Sequence, residues 1–168
     1  MAIKLNQDHI EKINRHGEQT YPHECCGFLL GSFESGVNVL REVYPADNEW
    51  DASITQTETL GEAVPAASHH YATTARRESH ANRYWITAAQ YKRADDYADK
   101  KGFQIIGYYH SHPDHPAEPS GYDFDHSCFA NQSYMIVAIE KGKAGALNSF
   151  VKPDYEKFEP EDIIIEAS

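Results

Sequence analysis

The stretch Ile105–Asp123, IIGYYHSHPDHPAEPSGYD, constrains this chain more than any other. It opens as a short apolar run, Ile105-Ile106-Gly107-Tyr108-Tyr109, of the length of a buried strand. His110 and His112 follow at once. In extended backbone, side chains at i and i+2 share a face, so both imidazoles can reach one point just past the predicted strand end. Pro113, Pro116 and Pro119 then prevent a long helix and stiffen the loop. Ser120-Gly121-Tyr122-Asp123 reads as a helix start, from which Asp123 can swing back as a third, oxygen ligand. Two histidines and a carboxylate, with a fourth position left for water, form the donor set of a catalytic rather than a structural zinc site. Each piece has a plainer reading. H-x-H is common, and S-x-x-D taken alone marks a helix N-cap. The combination H-x-H-P-x6-S-x-x-D behind an apolar strand is what points to a metal.

Composition narrows the partners. With 168 residues, the chain makes one domain spanning 1–168 with a real core. A net charge of −11 disfavours non-specific binding to nucleic acid or an anionic membrane. No apolar run is long enough to span a bilayer, and the N-terminus has no signal-peptide pattern. The three cysteines, Cys25, Cys26 and Cys128, are an odd count with two adjacent, which is no disulfide framework and fits a reducing cytoplasm. His69, His70 and His80 read as solvated loop residues.

The order of elements follows from pattern and caps. Leu5–His16 reads as a helix with Asn6 as N-cap, Leu5 and Ile10 as a hydrophobic staple, and Gly17 past its end. Cys25–Leu30 is a buried strand bounded by Gly31, and Val37–Tyr44 pairs with it through a turn near Glu34-Ser35-Gly36. His23-Glu24 only superficially opens an H-E-x-x-H motif, since position 27 is glycine and the platform is a strand. From Asp47 to Arg83 the pattern dissolves, with a weak helix at Ala66–Arg77. A loop this long in a compact domain is usually functional or mobile. Tyr84-Trp85-Ile86 reads as a strand end. Thr87 and Gln90 form a capping box for a helix Thr87–Lys101, which has Tyr91, Ala94, Tyr97 and Ala98 inward and Gly102 as its stop. Beyond Asp123 a helix runs to about Ala130 with Phe124, Cys128 and Phe129 inward, then strands at Ser133–Ile139 and Ala146–Val151. Asp154–Pro160 is a charged connector, and Ile163–Ile165 is a last edge strand. Strands interleaved with helices make the chain α/β or α+β.

His110-Ser111-His112-Pro113 with Ser120 and Asp123 resembles the signature of the JAMM (MPN-plus) zinc metalloproteases. Glu24, directly before the strand Gly27–Gly31, stands where that family has its essential glutamate; taken alone it would read as a solvated residue at a strand's mouth. The resemblance covers Glu24–Gly31, Asn82–Tyr109 and His110–Asp123. It implies a single JAB/MPN domain with a mixed central sheet flanked by helices, cytidine-deaminase-like. It also implies zinc on His110, His112 and Asp123, Glu24 as general base, Ser120 as donor to the oxyanion, and an insertion at 47–83 that can flank a substrate groove. Zinc lowers the pKa of its water to ~7, a nearby carboxylate can relay the proton to the leaving amine, and an oxyanion donor is worth ~3 kcal/mol. Ser120 can equally be only a helix cap. Ser111 points away from the histidines and is assigned to packing behind them, while His115 and His126 lie outside the family pattern.

The chain looks more like the small prokaryotic JAMM peptidases than the larger eukaryotic members, which implies hydrolysis after the C-terminal Gly-Gly of a ubiquitin-like sulfur-carrier protein. Alternatives are deconjugation of another ubiquitin-like modifier, or a non-catalytic MPN scaffold. A homodimer is one open option for assembly. Amidohydrolase-type barrels also open on H-x-H but need ~250 residues and further ligands, and zinc deaminases need a P-C-x-x-C that is absent here.

Overall fold

The structure, a computed structural model, describes residues 1–50, 79–127 and 129–166. A seven-stranded mixed sheet is built from β1 (Ala2–Asn6), β2 (Cys26–Glu34), β3 (Val37–Ala46), β4 (Gln104–Pro113), β5 (Ser133–Glu140), β6 (Lys143–Val151) and β7 (Glu159–Glu166). Its order is β1-β3-β2-β4-β5-β6-β7, and it closes on itself because β7 pairs in parallel with β1. The expected mixed sheet with flanking helices is present. The last strand, expected at an edge, instead sits between β6 and β1.

Helix α1 (Gln7–Thr20) starts at the expected N-cap, Asn6, whose side chain accepts the His9 amide. Ile3 and Leu5 alternate inward along β1, a strand that the helical reading of Leu5 overlooked. Gly17 does not end the helix. It is buried within it, and a Cβ there would lie 2.7 Å from Ile139 Cδ1. Glycine is needed at that point for the helix to lie close on β5. Ile13 of α1 joins Ile3, Leu5, Leu29, Val43, Tyr109, Met135 and Val137 in one buried cluster, so the sheet curls around this helix.

Helix α2 (Ala88–Lys101) has the expected Thr87/Gln90 capping box and stops at Gly102, whose φ of 72° is the left-handed conformation that favours glycine. It packs Ala94 and Ala98 on Phe28, Leu30 and Ile105, the opposite face of the sheet. Residues alternate between these faces along β2, with Leu29 toward α1 and Phe28 and Leu30 toward α2, as a strand requires.

Three boundaries differ from expectation. Tyr84-Trp85-Ile86 is not a strand; its backbone bonds to the segment around Asn48. Helix α3 (Gly121–His126) ends well before Ala130. β4 continues through His110 and His112, so the histidines lie inside the strand and not beyond it. Ala66–Arg77, His69, His70 and Cys128 lie outside the described residues.

Candidate metal centre

Strand pairing brings the upstream glutamate to the histidines. In the antiparallel β2–β4 ladder Cys26 faces His110 and Gly27 faces Tyr109. Carried two residues further, the register sets Glu24 opposite His112, and the Ser111 N–H donating to the Cys25 carbonyl at 3.1 Å continues the ladder that way. Directly opposed residues hold their Cβ atoms ~5 Å apart. Glu24, His110 and His112 therefore share the face that carries α2. Ser111 lies on the other face, where its Oγ accepts the Cys25 N–H at 2.8 Å, in the supporting role expected for it.

Asp123 comes from the first turn of α3. Ser120 is that helix's N-cap: its Oγ accepts the Asp123 N–H, while its own N–H and hydroxyl donate to Asp123 Oδ2 at 2.6 and 2.7 Å. The hydroxyl thus caps the helix and aims the carboxylate at once. Hydrogen bonds tie down the intervening segment. Asp114 Oδ1 accepts the Lys141 N–H, and the Asn148 amide donates to the Ala117 carbonyl.

The result is one buried group of three ligand atoms. His110 Nε2 and His112 Nε2 are 3.0 Å apart, His110 Nε2 lies 3.0 Å from Asp123 Oδ1, and His112 Nε2 lies 3.4 Å from Asp123 Oδ2. Tetrahedral zinc with bonds near 2.0–2.1 Å has ligand-to-ligand edges of roughly 3.3 Å, so the three edges match. His112 Nδ1–H donates to the Pro116 carbonyl at 2.8 Å, so Nε2 is the nitrogen that faces Asp123 and would offer its lone pair to a metal once its proton leaves. The donor set fits zinc. It is the one such group of three among the described residues, and neither His115 nor His126 belongs to it. His126 stacks on Tyr122 and pairs with its carbonyl instead.

Without a metal the site holds protons. Burial lowers the His110 pKa against the pull of Asp123. Burial would lower His112 too, but its hydrogen bond to Asp123 and the charges of Asp123 and Glu24 outweigh this and hold it at about 9. Asp123, despite burial, is kept well below the usual carboxylate range by the two imidazoles. Glu24 is 6% exposed, and burial pushes its pKa up to about 8 against the opposing pull of His112. A metal ion held here would have to displace the proton from His112. Between pH 7 and about 9 zinc binding is therefore expected to release about one proton, with affinity rising about tenfold per pH unit. Calorimetry in two buffers of different ionisation enthalpy measures that proton, and release of none would contradict a protonated His112.

Two neighbours were not legible as site residues. Tyr84 stacks on His110 with ring centroids 4.7 Å apart and planes at 25°, and its carbonyl accepts the Tyr122 hydroxyl. His80, expected to be solvated, is half-buried; its carbonyl accepts the Glu24 N–H at 2.7 Å and its ring packs beside His23 and Trp50. No local period or cap signals either contact. Cys25 and Cys26 are buried beside the site, but burial lifts Cys25 to about 12 and Cys26 well above the ordinary thiol value, so neither supplies a thiolate.

A family model described as prokaryotic homologs of the JAB domain matches residues 6–151. No curated protein matches the chain. Among solved structures, a protein of Desulfitobacterium hafniense superposes with a TM-score of 0.74 at 23% identity, covering 99% of this chain and 94% of its own. A protein of Salinibacter ruber gives 0.66 at 33% identity, covering 97% and 91%. A JAB1/MPN domain protein of Archaeoglobus fulgidus gives 0.52 at 13% identity, covering 98% and 99%.

Proposed function

Because the chain belongs to the family of prokaryotic JAB-domain homologs, we propose that it is a zinc-dependent peptidase. Its substrate in this reading is a ubiquitin-like sulfur-carrier protein, cut after the C-terminal Gly-Gly in the cytoplasm. The observation that carries the reading is the buried His110/His112/Asp123 group with Glu24 set opposite His112 on the same sheet face. A zinc ion bound there would supply Lewis acidity, both toward a water that ionises near neutral pH and toward the scissile carbonyl. His110, His112 and Asp123 would hold it. Glu24 takes the water's proton and returns it to the leaving amine; a buried carboxylate whose pKa lies near the working pH suits both transfers. The Ser120 hydroxyl, whose single proton rests on Asp123 Oδ2, would turn that proton to the developing oxyanion in this reading. Free thiols at Cys25 and Cys26 suit a reducing compartment, and no helix among the described residues is long and apolar enough to cross a membrane.

Incubating the zinc-loaded protein with C-terminally extended ubiquitin-like carriers, with and without chelator, and weighing the products tests this. Cleavage after Gly-Gly that stops on chelation is expected, and Gly→Ala in the carrier's tail should abolish it. In this reading the requirement comes from a groove that would admit only an extended tail without side chains. Cleavage indifferent to that change would remove the glycine specificity, and no cleavage of any carrier would remove the substrate class.

A further inference from the structure

One side chain outside the ligand set ties together the backbone on which the site's wall is built. The Asn48 amide makes four hydrogen bonds. Its Nδ2 donates to the carbonyls of Glu24 and Arg83, each at 3.0 Å. Its Oδ1 accepts the N–H groups of Trp50 at 3.1 Å and Trp85 at 3.2 Å. The amide's orientation is not arbitrary: two carbonyls demand the NH2, and two N–H groups demand the oxygen. Glu49 N–H donates to the Trp85 carbonyl at 3.1 Å alongside it. The three joined segments each carry something the site uses. One bears Glu24, one bears Tyr84 on the face of His110, and the third leads away from β3 past Trp50, whose ring packs on His80.

From this geometry we infer that Asn48 is a positioning residue, which sets Glu24 and Tyr84 against the metal centre by clamping their backbones together. The inference rests on the function proposed above only for its effect on turnover. Asn48 is distinct from the candidate ligand set, because the three ligands come from β4 and α3 and their hydrogen bonds run to one another, to Pro116 and to Ser120. Removing it should therefore leave zinc in place and loosen what faces the zinc.

The sequence contains two tryptophans, Trp50 and Trp85, and Asn48 binds the backbone of both. Acrylamide quenching of their fluorescence thus reads the clamp directly, with no need for activity. Asn48→Ala breaks all four bonds. Asn48→Asp keeps an oxygen for the two N–H groups but sets a second oxygen against the Glu24 and Arg83 carbonyls. Quenching should rise clearly in Asn48→Ala and less in Asn48→Asp. Zinc affinity should be retained in both, with kcat on Gly-Gly substrates falling on the order of tenfold to a hundredfold and KM changing far less, as expected for a misplaced reacting group. Unchanged quenching in Asn48→Ala overturns the clamp, and raised quenching with wild-type kcat overturns its positioning role. Should the wild type cleave no carrier at all, the functional reading fails, and the quenching arm still decides the clamp. If Asn48→Ala does not fold, Asn48→Asp carries the comparison, and equal loss of zinc and activity in it would assign Asn48 to the fold alone.

Discussion

Glu24→Gln is expected to abolish turnover, keep zinc, and make the metal-free protein more stable at pH 8 than the wild type. Loss of a general base lowers turnover by ~10²–10⁴. The stability gain follows from linkage. The folded pKa of about 8 lies above the ordinary 4.5 because burial opposes the charge. Folding therefore favours the protonated form, and the wild type loses stability as pH rises from about 4.5 toward 8. At ~1.4 kcal/mol per pKa unit the upper bound is about 5 kcal/mol, and relaxation of the site reduces it to roughly 1–3 kcal/mol. Glutamine carries no such penalty, so its metal-free melting temperature at pH 8 should be several degrees higher, at ~2–4 °C per kcal/mol. The advantage should vanish below pH ~4.5. Thermal melts of both apo proteins from pH 4 to 9 measure it. A difference that stays flat over that range would mean Glu24 does not ionise in a buried setting, and activity surviving the change would dismiss it as the base.

Asp123→Ala should have the second large effect, on the metal itself. The carboxylate lies between two imidazoles and is the site's only anionic donor. Its loss is worth roughly 3 kcal/mol of binding, a hundredfold or more in zinc affinity. His112 also loses the partner that holds its proton, so burial should bring its pKa down. Ser120→Ala provides the contrast. It removes the cap of a six-residue helix, about 1 kcal/mol of stability, and an outer partner of Asp123, about 10–100-fold in zinc affinity. If the hydroxyl also serves the oxyanion, kcat at saturating zinc falls a further ~10²–10³; a kcat left intact would confine Ser120 to capping and aiming. Competition against a chromophoric chelator measures affinity for both variants, and Asp123→Ala binding zinc as tightly as the wild type would strike Asp123 from the ligand set.

Residue pattern alone determined what short-range physics controls. The Asn6 and Thr87 caps, the Gly102 stop and the shared face of His110 and His112 follow from backbone geometry within a few residues. The address of Glu24 was legible only through family likeness, since nothing within its own segment separates it from a solvated carboxylate; the β2–β4 register decided it. Tertiary structure alone decided the closure of the sheet, because β1 and β7 come from opposite ends of the chain and their pairing leaves no local period. It also turned Gly17 from a presumed stop into a contact with Ile139, and let Asn48 gather backbone from three segments. A local pattern records which face a residue prefers. Which distant backbone comes to meet that face depends on how the whole sheet curls around α1.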